Sequence, residues 1–266
     1  MKVLVPVKQV ASLDEDFTLD GAPDGPAAVP AEALHWKLNE WDGFSLEAAL
    51  ELAEGAQGSE VVVATVGDER AEEGLLACLA MGADRAIRLW DEAFTGADAL
   101  AVANVLAALA AAETPDLILC GVQSADAASA ATGVALAGLL DLPRVAVVNA
   151  IERDGDRLTV QRELEGGAIE VLRVTLPAVL TVQSGINQPR KPTLRAIKQA
   201  RGKPPMVLAP ADIGLDTPGA PGALAGAGSR TVRLREPARG GATMLEGAPE
   251  EIAARVSELV GEALRG

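Results

Sequence analysis

Short runs of continuous apolar residues alternate with amphipathic stretches through the first half of the chain. The apolar runs are 3–7, 59–66 (SEVVVATV), 84–90 (DRAIRLW), 116–121 (DLILCG) and 144–150 (RVAVVNA). Runs of this length suit strands covered on both faces, as in a parallel sheet. Helical spacing fills the gaps. Residues 39–53 carry Trp41, Phe44, Ala48, Ala49 and Leu52 on one face, with Asn39 and Asp42 spaced as a capping pair. Residues 69–81 carry Leu75, Leu76, Leu79 and Ala80, and Gly82 is placed to end that helix. Thr95 and Asp98 have capping-box spacing before 99–112, and 126–140 reads as the next helix. Alternation of this kind predicts an α/β fold: a doubly wound, mostly parallel, Rossmann-like sheet.

After Ala150 the period changes. Residues 157–163 and 168–175 flank Glu165-Gly166-Gly167 and predict an antiparallel hairpin, and 178–183 (AVLTVQ) is one further buried strand. A basic stretch follows at 190–203 (RKPTLRAIKQARGK), which has no acidic residue. Residues 207–228, rich in Ala, Gly and Pro, read as a linker or extended arm. A strand at 231–234 and a helix at 249–264, striped with Ile252, Val256, Leu259, Val260 and Ala263, close the chain. The organisation expected is an α/β nucleotide-binding domain at 1–189, a basic recognition element at 190–204, and a C-terminal arm and helix at 205–266. No internal repeat is present.

Composition narrows the function. Apolar residues make up 49% of the 266, enough for a sizeable core. The net charge of -15 argues against general nucleic-acid binding, which needs a cationic face. With aromatics at 2%, base-stacking platforms are not expected either. His35 is the only histidine, and Cys78 and Cys120 are the only cysteines, so a disulfide framework and a cysteine–histidine zinc site are both excluded. The opening apolar run is too short for a signal peptide, and no stretch reaches the length of a membrane span. A cytoplasmic location fits.

Motifs for self-contained catalysis are missing: there is no G-x-G-x-x-G, no phosphate loop and no G-x-S-x-G elbow. The informative segment is 117–133 (LILCGVQSADAASAATG), where a buried strand ends at Gly121 and a loop of small residues enters a helix. Ligands of open α/β sheets sit at such strand ends, and helix-start N–H groups suit an anion. Two readings stand for this segment. Asp126 caps the helix and the alanines pack it, or the loop takes a phosphate with Ser129 and Thr132 adding hydroxyls. Convergence of the strand ends at Pro6 and Val66 and of the turn at Asn39 favours a nucleotide. The basic stretch reads either as a solvated helix or as a docking element with Leu194 as apolar anchor among cations.

Together the segments KVLVPVKQV, NEWDGFSLEAALEL, LAMGADRAIRL and RELEGGAIEVLRVTLPAVLTVQSGINQPRKPTLRAIKQARGKP resemble the beta subunit of electron transfer flavoprotein along nearly the whole chain. The resemblance implies an alpha-subunit partner holding most of the redox FAD. It implies electron transfer from flavin dehydrogenases, such as acyl-CoA dehydrogenases of fatty acid oxidation, to a quinone oxidoreductase. It also implies a nucleotide in this subunit, AMP in ordinary members or a second FAD in bifurcating ones. By matching positions the nucleotide site is Pro6, Asn39, Glu40, Trp41, Asp42, Val66, Gly121, Val122, Gln123, Ser124, Ala125, Asp126, Ser129 and Thr132. The partner-binding residues are Leu194, Arg195, Ile197 and Lys198. Ala127, Ala128 and Ala130 stand where AMP-binding members often carry acidic residues and an asparagine, which leaves backbone N–H groups to hold phosphate. The alternative from another class is a stand-alone nucleotide-binding sensor module.

Overall fold

A computed structural model describes residues 1–13, 19, 29–30, 33–215, 234, 241 and 244–265. They fall into two compact units, a large one built on the main sheet and a small one containing the C-terminal helix.

In the large unit the strands are β1 (Lys2–Pro6), β2 (Gln9–Leu13), β3 (Leu34–Leu38), β4 (Glu60–Val66), β5 (Arg85–Leu89), β6 (Leu117–Gly121), β7 (Arg144–Asp154), β8 (Arg157–Glu163), β9 (Ile169–Thr175), β10 (Ala178–Val182) and β11 (Met206–Leu208). The helices are α1 (Glu40–Ala53), α2 (Glu72–Met81), α3 (Ala99–Glu113), α4 (Thr132–Leu139) and α5 (Leu194–Ala200). Nine strands form one sheet in the order β11-β5-β4-β1-β6-β10-β7-β8-β9. It is parallel from β11 to β7, and β8 and β9 extend it as an antiparallel meander. β2 and β3 pair separately as an antiparallel hairpin.

The continuous apolar runs are explained by burial on both faces. Val3, Val5, Val61 and Val63 point to one side, against α1 and α2. Leu4, Val62 and Ala64 point to the other, against α3 and α4. Winding therefore starts at the centre, with β1, β4 and β5 laid down in one direction under α1 and α2. It then reverses to β6 on the other side of β1. This reversal is the point where an open α/β sheet leaves a crevice at its carboxyl edge. At the opposite edge, Arg85 joins Glu60 (2.6 Å) and Glu113 (2.5 Å), and Lys2 joins Glu113 (3.2 Å).

Several expectations shift. Helix 126–140 begins only at Thr132, because 125–131 is a turn and loop. Asn39 precedes α1, but its side chain makes no capping bond; it is used elsewhere. Asp98 caps α3 by itself, accepting from the N–H groups of Leu100 and Ala101, so no box with Thr95 is needed. The strand at 144–150 runs on to Asp154. The edge strand β11, 206–208, takes in the first two residues of the expected linker 207–228, while the linker beyond 215 and nearly all of 231–234 lie outside the described residues.

In the small unit α6 (Pro249–Ala263) starts at a proline, whose missing N–H costs a helix nothing in its first turn. The N–H of Ala248 donates to the Glu251 carboxylate (3.1 Å). Val256, Leu259 and Val260 are exposed, and no residue of α6 is buried.

α4 lies on the sheet through Gly133, where an added Cβ would sit 2.7 Å from Cγ2 of Thr181 and 3.0 Å from Cβ of Cys120. Gly138 in the same helix faces open space. Gly133→Ala is expected to destabilise by about 1–3 kcal/mol through overpacking, and Gly138→Ala to stabilise by about 0.5–1 kcal/mol through helix propensity. Denaturant midpoints of the two variants check this; a shift of the same sign in both would refute the close approach.

Candidate functional site

A cleft of ≈ 1070 Å³ opens over the carboxyl ends of β1, β4, β5 and β6. Four strand ends and the loop after β6 build it. Pro6 ends β1 and Lys8 follows it, Val66 ends β4 and Gly67 follows it, Trp90 follows β5, and residues 120–124 and 129–133 lie on the path from β6 into α4.

The loop after β6 is held by side chains acting as backbone substitutes. Asn39, 1% exposed, donates from Nδ2 to the carbonyl of Gln123 (2.9 Å) and accepts at Oδ1 from the N–H of Ala125 (3.1 Å). One buried amide thus satisfies a donor and an acceptor that no strand or helix reaches. Asp42, one turn into α1, accepts at Oδ2 from the N–H of Lys8 (2.7 Å), tying the end of β1 to the same helix. Gly121 passes between α1 and the cleft so closely that an added Cβ would lie 2.3 Å from Oδ1 of Asp42 and 2.8 Å from Cβ of Trp41. At this position no other residue fits the backbone path.

Beyond Gln123 the backbone takes an uncommon course. Ala128 and Ala130 have φ of 47° and 50°, the left-handed region that alanine enters only at a cost of about 1–2 kcal/mol per residue. Alternation of this kind turns successive N–H groups toward one concavity, as in anion-binding nests. α4 then begins at Thr132, preceded by Ala131, with no side-chain cap and no acidic residue in its first turn. The start of α4, the positive end of the helix dipole, lies among residues 129–133, which line the cleft. Val66, Trp90, Phe94, Val102 and Leu106 supply an apolar side, with Trp90 and Phe94 packed edge to face at 6.3 Å. At the mouth, the guanidinium of Arg70 grips Asp68 (2.6 Å) and lies 5.1 Å from the ring of Trp36. Backbone donors on one side and an apolar wall on the other suit a flat molecule bearing phosphate.

Of the residues expected at the site, Pro6, Asn39, Asp42, Val66, Gly121, Val122, Gln123, Ser124, Ser129 and Thr132 are brought together in the cleft wall. Glu40, Trp41, Ala125 and Asp126 do not line it. Glu40 is exposed, and Trp41 donates from its indole N–H to Oε1 of Gln183 (3.1 Å). Ala125 donates its N–H to Asn39, and Asp126, which does not cap α4, pairs with Lys8 Nζ at 2.8 Å. The Lys8 and Ser124 hydrogen bonds outweigh burial and hold the Asp126 carboxyl below its ordinary value. Leu194, Arg195, Ile197 and Lys198 all lie on α5, outside the cleft. Lys8 and Gly67 belong to the strand ends expected to converge here, whereas Arg70, Trp90 and Phe94 were not anticipated. Trp90 had a signal, since it stands at the carboxyl end of a strand read from the sequence; Arg70 had none. Cys120 lines the cleft, but burial pushes its thiol up to about 12, so it offers no nucleophile near neutral pH.

A family model for the electron transfer flavoprotein domain matches residues 28–213. The chain belongs to the electron transfer flavoprotein family. It is 45% identical over 265 residues to electron transfer flavoprotein subunit beta of Methylophilus methylotrophus, covering 98% of both chains. It is 37% identical over 221 residues to the beta subunit of Homo sapiens, covering 81% of this chain and 84% of the human one. It is 36% identical over 248 residues to the caffeyl-CoA reductase-Etf complex subunit CarD of Acetobacterium woodii, covering 93% and 92%. Electron transfer, in association with flavin, is the function this membership carries. The bifurcating alternative is not favoured by these relatives.

Asp42 gives this site a pH dependence. Burial pushes its carboxyl up to about 7, against the pull of the Lys8 and Gly121 N–H groups, the Asn39 amide and the Lys8 charge. The unfolded carboxyl ionises near its ordinary value, so between the two the folded chain holds the extra proton. Asp42's contribution to stability is then present at low pH and falls as pH rises toward 7. Relative to the native chain, Asp42→Asn should gain by up to about 4 kcal/mol between about pH 4 and pH 8, at about 1.36 kcal/mol per unit. Denaturant unfolding of both chains across this range checks it; stability curves that stay parallel would contradict it.

Proposed function

We propose that this chain is the beta half of a heterodimeric electron transfer flavoprotein, that it holds AMP in the cleft over β1, β4 and β6, and that α5 meets the electron donor. The donors are flavin dehydrogenases, such as acyl-CoA dehydrogenases, and the acceptor is a quinone oxidoreductase; the setting is cytoplasmic. The reading is carried by one observation: an uncapped helix start joined to a left-handed loop, both facing a cleft at the winding reversal of the sheet.

FAD, held chiefly by the alpha subunit, supplies the electron chemistry when bound. The work of this chain is binding and orientation. The N–H groups at the start of α4 take the AMP phosphate, Ser129 and Thr132 add hydroxyl donors, and the apolar side of the cleft takes the purine. Asn39 and Asp42 hold the loop and the end of β1 in place for this. With alanine at 127, 128 and 130, selectivity rests on backbone and shape. Residues 1–189 serve as the nucleotide domain, 190–204 as the recognition element, and 205–266 as an arm and helix for the alpha subunit. A partner named only by its pairing is consistent with the relatives, which carry the name subunit beta.

Leu194 is 87% exposed, so nothing in the fold explains it, and five cations surround it within 191–203. An apolar anchor ringed by charge suits a transient docking site on an acidic surface.

Denaturing the complex purified with its alpha subunit and identifying the released small molecules tests the cleft. One FAD and one AMP per heterodimer are expected; two FAD, or no adenylate, would overturn the AMP assignment. Leu194→Ala is expected to raise KM for the donor dehydrogenase by about tenfold while FAD and AMP contents stay unchanged. An unaltered KM would remove the docking role from α5.

A further inference from the structure

One cation of the basic stretch is treated differently from the rest. Arg190 donates its backbone N–H (2.9 Å), its Nε (2.9 Å) and its Nη2 (2.7 Å) to the carboxylate of Glu47, and Nη2 also reaches Glu54 (2.8 Å). The Glu47 side chain is only 6% exposed, on the core-facing side of α1. By contrast Lys191, Arg195, Lys198, Arg201 and Lys203 make no ion pair among the described residues. The segment leading to Arg190 is pinned to the same helix. Asn187 donates from Nδ2 to the carbonyl of Phe44 (3.1 Å), and Pro189 packs over Gly43, where an added Cβ would meet it at 3.9 Å. At the far end Ala200 is buried, with α5 against α2. Thr193 caps α5 between these anchors, accepting from the N–H of Ala196 (3.2 Å). The exposed Leu194 thus lies between two fixed ends.

A buried carboxylate is stabilised only when its lone pairs are filled, and a bidentate guanidinium with an added N–H fills them with defined geometry. A docking element ordered in advance gives up less freedom on binding. We infer that Glu47 and Arg190 are positioning residues for the electron donor: they lock the base of the basic segment to α1, so that Leu194 and the five unpaired cations meet an acidic dehydrogenase surface as a preformed site. The inference rests on the docking role of α5 and adds what holds that site in shape.

The test uses the complex with its alpha subunit and the variants Glu47→Gln, Arg190→Gln, Arg190→Lys and Leu194→Ala. Two readouts are followed: the rate of tryptic cleavage after Arg195 and Lys198 in the folded complex, and KM for the donor set against turnover at saturation. Glu47→Gln and Arg190→Gln are expected to speed cleavage by about tenfold and raise KM by about tenfold, with saturated turnover within about twofold and AMP content unchanged. Arg190→Lys, which keeps the charge and loses the fork, is expected to fall between them and the native complex. Should the glutamine variants fail to fold, Arg190→Lys decides by the same two readouts. Native cleavage rates and KM in folded clamp variants, with Leu194→Ala still raising KM, would overturn the clamp alone. A native KM in Leu194→Ala would overturn the docking role and the clamp with it.

Discussion

Everything at the carboxyl edge follows from the reversal of winding between β1 and β6. The crossovers through α1 and α2 belong to one face, and those through α3 and α4 to the other. The chain leaving β6 must therefore travel from Gly121 to Thr132 with few backbone partners: Val122 donates to the carbonyl of Val182 (3.1 Å) and Ala128 to that of Ser124 (2.8 Å). Donors and acceptors on that path need partners. Asn39 supplies two of them, and the loop's close pass by Asp42 and Trp41 forces glycine at 121. What remains are N–H groups at the head of α4, together with the left-handed backbone at Ala128 and Ala130 that helps gather them. Strain of this sort persists where surrounding structure holds it, and it clusters at sites of function.

Charge is divided in the same economical way. The chain is strongly acidic, yet most cations of the basic stretch make no ion pair among the described residues, while Arg190 is consumed by Glu47. Lys8 is likewise committed to Asp126 at the rim of the cleft. Ser129 and Thr132, at the head of α4, are among the polar residues that line the cleft. Electron transfer, the function the family carries, asks a protein to hold and orient a redox group.

The fold was largely legible from the sequence because its core strands are buried on both faces and read as unbroken apolar runs. β8 and β9 declared themselves by alternation around Glu165-Gly166-Gly167. The hairpin of β2 and β3 escaped, since its strands alternate, are separated by twenty residues and pair outside the main sheet. β11 escaped because three residues at a sheet edge leave no pattern. Small residues misled at 126–131, where alanine suggests helix and the backbone is instead left-handed at two positions. Asn39 and Asp42 were read as a helix start from their spacing and as site residues from the resemblance. Spacing showed capping alone, whereas their side chains bind the end of β1 and the loop after β6. Arg190 and Glu47 lie 143 residues apart, and no local pattern could pair them.

The claim at the centre is that bare N–H groups at the head of α4 hold the phosphate of AMP. Ala131→Asp tests it most directly, because it places a carboxylate where the helix has none and where it would itself cap those groups. The variant, purified with the alpha subunit, should be at least as stable as the native complex and should release only a small fraction of the native amount of AMP on denaturation. A full complement of AMP released from the folded variant would contradict the account.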